Sequence, residues 1–465
     1  MIQLRPYQTE IINAVRAQFA QGVRNVIVES ATGSGKTTLS SFMLKTCAEK
    51  GMSAWVVMHR RELVKQWVLA LDKVGLKFDI IANGFLETRR NLIKVCSIGA
   101  LRTRAQTIMV VPNMIVWDEA HHLAAKSFTK IYGLFPKTYH IGLTATPERL
   151  DGKGLKGYFK TIVKGPTVRE LIEQGFLSDY RIFAPPGIST EGMHMRAGDF
   201  AKEDVNAAAD KPTLFGNVLH EYLKHAKGKR VIGFAPSIKI SKELVDLFLQ
   251  NGVPAAHVDG ETDMQVRDEA LRLFAEGKIL YLGNVDLFGE GFDLPCLDGV
   301  ILYRPTASIG LYRQQVGRAL RPSQGKTHAI ILDHAGNVSR HGLPEEVIDW
   351  KLEGHSRDSK PNEPSLKVKI CPSCFAAQAP GRECRYCGKV FPVKERKVAR
   401  KEGPLSEMDI EKMRAQAQVK REQGKAQSYE DLVSVGIRRG MKNPMGWASH
   451  VILARKQKAM MGKEL

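Results

Sequence analysis

Three sets of residues in this chain have the types and spacing to act on phosphate, and a fourth has the spacing to hold a metal. The first is Gly33-Ser34-Gly35-Lys36-Thr37, placed between the apolar run Val26-Ile27-Val28 and a helical pattern from Thr38 to Lys50. A strand that breaks into a small-residue loop and then a helix aims several backbone N–H groups at one point, where polyphosphate can sit. Lys36 then reaches the β- and γ-phosphates and the Thr37 hydroxyl reaches Mg²⁺, with Gly33, Ser34, Gly35 and Thr38 completing an ATP cradle. Ser30 stands where the full phosphate-loop pattern has Gly, and a flexible turn before an ordinary helix is the plainer alternative.

The second set is Asp118-Glu119-Ala120-His121, ending the run Met114-Ile115-Val116-Trp117. A carboxylate at the tip of a buried strand suits Mg²⁺, and a second beside it can orient and deprotonate an attacking water. Asp118 takes the metal in this reading and Glu119 the water. Alone, such a pair is an ordinary helix N-cap; downstream of Gly-Lys-Thr it points to ATP hydrolysis. Phosphoryl transfer also gains from an arginine delivered across an interface. The third set, Gln314-Gln315-Val316-Gly317-Arg318-Ala319-Leu320-Arg321, offers one: Arg318 and Arg321 share a helix face, with Gln314 one turn earlier. The fourth is Cys371-x2-Cys374, nine residues, then Cys384-x2-Cys387. Four thiolates paired in this way close a tetrahedral structural zinc site and leave no open position for catalysis.

These residues need scaffolds. In the first 165 residues, apolar runs at 26–28, 55–58, 95–98, 114–117 and 141–143 alternate with helical patterns, as in an open α/β sheet. The strand-end residues Arg60, Arg61 and Ser97 then face the crevice where ligands bind and can hold a phosphodiester backbone. Gln8, just upstream of the phosphate loop, offers a donor and an acceptor to an adenine edge. After an irregular stretch from about Asp151 to Lys211, runs at 230–235, 255–258 and 279–282 restart the alternation. Residues 340–369 read as a linker and 405–465 as basic helices.

The net charge of +20 implies a polyanionic partner, nucleic acid before membrane. Residues 351–465 hold 25 Lys and Arg against 13 Asp and Glu, so a quarter of the chain carries +12 of that excess. No apolar run reaches about 18 residues and the N-terminus lacks a signal-peptide core, so a cytoplasmic protein is expected. Cys47, Cys96 and Cys296 read as reduced core residues.

Taken together, Arg5-Pro6-Tyr7-Gln8, Gly33-Ser34-Gly35-Lys36-Thr37, Asp118-Glu119-Ala120-His121 and Thr144-Ala145-Thr146 resemble the ordered motifs of superfamily 2 helicases and translocases. The resemblance covers about residues 1–335 and implies two tandem RecA-like parallel-sheet lobes with ATP between them. It adds Arg5 to the ATP site and makes His121, Thr144 and Thr146 couple nucleotide state to nucleic-acid grip. It also brings Gly291 and Asp293 of Leu287–Pro295 to the nucleotide from the second lobe and makes Gln314–Arg321 the arginine-finger motif. The expected boundaries are lobe 1 at 1–165, a connecting segment at 166–211, lobe 2 at 212–339, the linker at 340–369, the zinc ribbon or knuckle at 370–392, and the basic helical tail at 393–465.

The four cysteines and Pro444-x-Gly446-Trp447-Ala448 further resemble the RadD-type branch, which acts in DNA repair and recombination. The expected activity is an ATP- and Mg²⁺-dependent DNA helicase or duplex translocase on branched or repair intermediates, with repair proteins as partners and a monomer sufficient. An RNA helicase and a nucleotide-gated nucleic-acid clamp without unwinding are the alternatives.

Overall fold

The computed structural model describes residues 3–85, 90–104, 111–148, 154–196, 198–287, 297–354, 368–392, 426 and 428–461. Seven strands form the first sheet: β1 (Asn25–Glu29), β2 (Ala54–Met58), β3 (Phe78–Ile81), β4 (Ile93–Ser97), β5 (Met114–Asp118), β6 (Tyr139–Thr144) and β7 (Thr161–Lys164). Their order is β3-β4-β2-β5-β6-β1-β7 and every pairing is parallel. A parallel sheet covered on both faces needs strands that are apolar throughout. Accordingly, every residue of β2 and β5 is buried.

The second sheet contains β8 (Asp179–Phe183), β11 (Val231–Phe234), β12 (Ala255–Val258), β13 (Tyr281–Asn284), β14 (Gly299–Leu302), β15 (His328–Asp333), β16 (Lys369–Ile370) and β17 (Ala376–Gln378). Its order is β12-β13-β11-β14-β15-β8-β17-β16. Strands β9 (Met195–Arg196) and β10 (Asp199–Phe200) form a separate hairpin. The chain is therefore α/β, with two RecA-like sheets, the first parallel throughout and the second parallel except at β17 and β16.

The segment between the lobes differs from the expected connector. Residues 168–173 are helical, and β8 pairs in parallel with β15, so part of 166–211 is a strand of the second sheet. Its charged Asp179 and Arg181 mask the alternation; only Ile182 and Phe183 are buried. The cysteine segment is likewise not a free module, because β17 pairs antiparallel with β8.

The expected linker also departs from its reading over residues 343–354, which cross back to the first lobe. Trp350 is 4% exposed, and Leu352 joins the first lobe's core beside Trp117 and Phe159. The Lys156 N–H donates to the Leu352 carbonyl at 2.8 Å, and Lys164 pairs with Asp349 at 2.7 Å. Gly154 is required there, since a Cβ would lie 1.9 Å from the Leu352 carbonyl oxygen.

Residues 393–465 form a second compact unit. Helices Tyr429–Arg438 and Pro444–Met461 enclose Leu432, Val435 and Ala448, with the Arg439 guanidinium 5.5 Å from the Trp447 ring centre. Among the described residues, no helix is long and apolar enough to cross a membrane.

Candidate active site at the lobe interface

Strand register brings the first lobe's chemistry together. β1 lies beside β6, which lies beside β5, with Glu29 opposite Thr144 and Asp118 opposite Leu143. The phosphate loop, the Thr144-Ala145-Thr146 segment and the Asp118-Glu119 pair therefore leave the same C-terminal sheet edge, where open α/β folds bind ligands.

The loop is braced from several sides. Gly33 and Gly35 adopt positive φ of 86° and 83°, a backbone that glycine takes without strain. The Ser30 and Ser34 hydroxyls hydrogen-bond at 2.7 Å, so the residue that departs from the phosphate-loop pattern ties the loop across its base. The Tyr7 hydroxyl donates to the Ser34 carbonyl. Helix Lys36–Glu49 starts at the loop and carries Thr37 and Thr38 in its first turn. Lys36 Nζ donates to the carbonyls of Ser30 and Ala31, at 3.1 and 3.3 Å.

Helix Pro6–Ala20 starts directly after Arg5, so Gln8 falls in its first turn. Gln8 Nε2 donates to the Gly35 carbonyl at 3.2 Å, and its Oε1 accepts from the Arg5 N–H at 3.0 Å. The amide expected at an adenine edge is here spent on the loop. Arg5 lies 4.5 Å from the Phe176 ring centre, and Tyr7 packs edge-on against the same ring at 5.4 Å.

Asp118 is held by Trp67, whose indole N–H donates to Oδ2 at 2.8 Å. Burial, then the neighbouring Glu119, push its carboxyl up to about 6, against the pull of Trp67 and Lys36. Glu119 has φ 50°, a left-handed conformation that costs a non-glycine residue on the order of 1–3 kcal/mol. His121 Nδ1 lies 3.5 Å from Glu119 Oε2 and 3.1 Å from the Thr144 hydroxyl, which in turn donates to the Thr146 carbonyl at 3.0 Å.

The second lobe meets this loop through helix Ile309–Ala319. A Cβ on Gly317 would lie 2.5 Å from Thr32 Cβ, and one on Gly33 would lie 3.4 Å from Arg321 Cγ. The arginine-bearing helix is thus packed directly on the phosphate loop, near enough that only glycine fits. Burial draws Lys36 below the ordinary lysine value. Glu119 and Asp118 oppose that shift, whereas Arg318 and Arg321 reinforce it. Charged groups of both lobes therefore act on Lys36. Arg321, drawn down to about 10 by burial, lies beyond the helix rather than on its face, because the helix ends at Ala319. Pro322 follows, and the residue before a proline disfavours the α conformation. Gln314 is buried on the same helix at 4% exposure. Gly291 and Asp293 lie outside the described residues, as does Cys296.

The three residues expected on a nucleic-acid backbone have protein partners. Arg60 Nη1 donates to the carbonyls of Asp286 and Leu287 at 3.1 and 3.2 Å, bridging the lobes. Arg61 stacks near Phe85 at 5.6 Å. Ser97 Oγ accepts from the Ala100 N–H at 3.3 Å and so starts the helix Ile98–Arg104.

The four cysteine sulfurs lie within 4.8 Å of one another, with Cys371–Cys387 and Cys374–Cys384 at 3.6 Å. Tetrahedral zinc with bonds of about 2.3 Å needs sulfurs about 3.8 Å apart, so the set fits zinc. Both knuckles are built alike. The Cys371 N–H donates to the Ala376 carbonyl and the Phe375 N–H to the Cys371 carbonyl; Cys384, Lys389 and Gly388 repeat the pattern. The residue after each second cysteine has positive φ, Phe375 at 57° and Gly388 at 70°.

Sequence reasoning missed Trp67, Tyr7 and the Gly317–Thr32 contact. Each acts through a tertiary approach, and only the two aromatic residues standing near motifs hinted at it.

The family model described as type III restriction enzyme, res subunit, matches residues 1–149, and that of the helicase conserved C-terminal domain matches 215–323. A Lactococcus phage relative, named only as a 51.5 kDa protein, is 33% identical over 392 residues, 83% of each chain. The chain belongs to the superfamily 2 helicases. As a member, it is an ATP-dependent hydrolase of helicase type. A Saccharomyces cerevisiae protein with the provisional name ATP-dependent helicase IRC3 is 29% identical to this helicase over 359 residues, 72% of this chain but 52% of that one. A solved fragment provisionally assigned as the HsdR subunit of a type I restriction enzyme from Vibrio vulnificus shares the helicase fold. Its TM-score is 0.58 at 22% identity, covering 73% of this chain and 66% of that one.

Proposed function

We propose that this helicase is an ATP-driven DNA helicase or duplex translocase of the RadD-type branch, acting on branched or repair intermediates. The observation that carries the motor part is the seating of the Gly317 turn on Thr32, which puts Arg318 and Arg321 among the charges around Lys36. In this reading Thr37 and Asp118 would hold Mg²⁺, whose charge would offset that of the triphosphate. Lys36 binds the same phosphates. Glu119 accepts the proton of the attacking water, with His121 beside it, and Arg318, Arg321 and Gln314 stabilise charge on the transferred group from the second lobe.

Hydrolysis then loosens the hold of the second lobe, and the Thr144–Thr146 segment passes that change to the nucleic-acid surface. Gly310 of the arginine helix stands against this segment, since a Cβ there would lie 3.3 Å from Thr146 Oγ1. DNA is favoured by the restriction-enzyme model that matches the first lobe, together with the four-cysteine cluster and the basic tail. The deciding experiment compares ATP turnover and strand separation over single-stranded, duplex, forked and four-way DNA and matched RNA, with Lys36→Ala as control. Stimulation by branched DNA that vanishes in Lys36→Ala is expected. Equal or greater stimulation by RNA overturns the DNA assignment, and unchanged turnover in Lys36→Ala overturns the ATP site.

A further inference from the structure

A second route joins the water-activating carboxylate to the other lobe, and it does not pass through the arginine helix. His121, 3.5 Å from Glu119, has its ring centre 4.3 Å from that of His122. On its other side His122 packs against His59, again at 4.3 Å, with the rings tilted by 54°. His59 follows β2, and His122 lies in the short 3-10 turn Ala120–Ala124 after β5. Because β2 and β5 are paired neighbours, these two loops leave the sheet side by side. His59 Nε2 accepts from Arg60 Nε at 3.1 Å, which places the proton of a neutral His59 on Nδ1. Arg60 ends the series on the carbonyls of Asp286 and Leu287, directly before the 288–296 stretch.

Three features make this series more than adjacency. The Arg60 bonds reach across the lobes, so they exist only when the lobes are together. Asp286, one of the acceptors, has φ 53°, so the loop offers its carbonyls in a fixed, unusual backbone shape. At the other end Glu119 also holds a left-handed backbone, which neighbouring contacts must maintain. Both ends are therefore sensitive to how the middle is packed.

We propose that His122 is a positioning residue that transmits lobe closure, sensed by Arg60 and passed through His59, to the His121–Glu119 pair. Its function is to make the water-activating geometry depend on the second lobe being docked at 286–287. This rests on the reading above that nucleic acid drives the ATPase through lobe closure. His122 packs its ring between His121 and His59, and His59 adds the Nε2 acceptor for Arg60, so the two positions are probed by different replacements. His122→Phe keeps a ring in the stack, whereas His122→Ala removes it. His59→Phe keeps the ring but removes the acceptor of Arg60 Nε.

The test measures ATP turnover with and without DNA, together with the ATP-analogue-induced distance change between labels at the exposed positions Lys50 and Gln250. His122→Ala should lower DNA-stimulated kcat about tenfold while basal kcat and the KM for ATP stay within about twofold. His122→Phe should restore stimulation and His59→Phe should not. His59→Ala combined with His122→Ala should cost no more than the worse single variant. Equal loss of basal and stimulated turnover, no recovery in His122→Phe, or multiplied losses in the double variant overturn the proposal. If the unaltered protein shows no stimulation by any nucleic acid, the functional reading fails, and the distance change then judges the relay alone. Loss of that change in His122→Ala but not in His122→Phe supports the relay; a change of unaltered size in both overturns it.

Discussion

Gly317→Ala is the smallest change that separates packing from chemistry at the lobe interface. The added methyl would lie 2.5 Å from Thr32 Cβ and 2.9 Å from Cγ2. Carbon atoms in contact sit about 3.5–4.0 Å apart, so the arginine helix and the phosphate loop must part by about 1 Å. Displacement of that size costs on the order of 10²-fold in a positioned reaction, and loss of an arginine finger costs about 10³-fold or more. We therefore expect kcat to fall by about 10²- to 10³-fold. The fold should not suffer, because alanine in a helix is more stable than glycine by roughly 0.5–1 kcal/mol. The assay pairs DNA-stimulated ATP turnover with a thermal melt and analogue binding: turnover should collapse while the melting temperature holds or rises slightly. Gly310→Ala is the internal comparison. Its methyl would lie 3.3 Å from the Thr146 hydroxyl, with Ser308 Oγ and Thr146 Cβ at ordinary contact distances of 3.6 and 3.7 Å, and a loss below about tenfold is expected. Wild-type turnover in a well-folded Gly317→Ala protein would refute the reasoning.

Two further outcomes follow from the site. The Asp118 carboxyl has its folded value raised to about 6, against about 3.9 unfolded, so the folded state holds the extra proton between those values. The melting temperature of the metal-free protein should fall as pH rises from about 4 through 6, Mg²⁺-dependent turnover should rise over the same window, and Asp118→Asn should flatten the melting trend. Elemental analysis should find one zinc per chain. Its removal by chelation, or Cys384→Ala, should expose the β8 edge of the second sheet to hydrogen exchange and leave the first sheet protected; unchanged exchange at β8 would count against a structural zinc.

Much of the first lobe was legible because its chemistry is local. The Gly33–Thr37 loop and the Asp118–His121 segment each follow a continuous apolar run, and a parallel sheet fixes where such strand ends go. The second lobe was legible at β11, β12 and β13; the apolar β14 and β15 were not read as strands, and β8 was missed as well. β8 looked irregular because Asp179, Tyr180 and Arg181 show a mixed face to solvent, and its partner β15 lies about 150 residues away. Residues 343–354 read as linker because they fall in 340–369, a stretch rich in charge, Ser and Pro; the anchoring comes from Leu352, which enters the first lobe's core, and from Asp349, which pairs with Lys164. Gln8 was expected at an adenine edge and Arg60 on a nucleic-acid backbone, and both have protein partners in the structure. Sequence alone could not show that Gln8 is spent on the loop carbonyls or that Arg60 bridges to Asp286 and Leu287.

The measurement closest to the centre of the account is ATP turnover by Arg321→Ala, read beside the binding of a non-hydrolysable ATP analogue. If each lobe supplies half of the site, turnover falls by about 10³-fold while analogue affinity changes only a few-fold, because the first lobe retains Lys36, Thr37 and Asp118. Turnover within about threefold of the unaltered protein would contradict a shared site and leave the contact at Gly33 as packing alone.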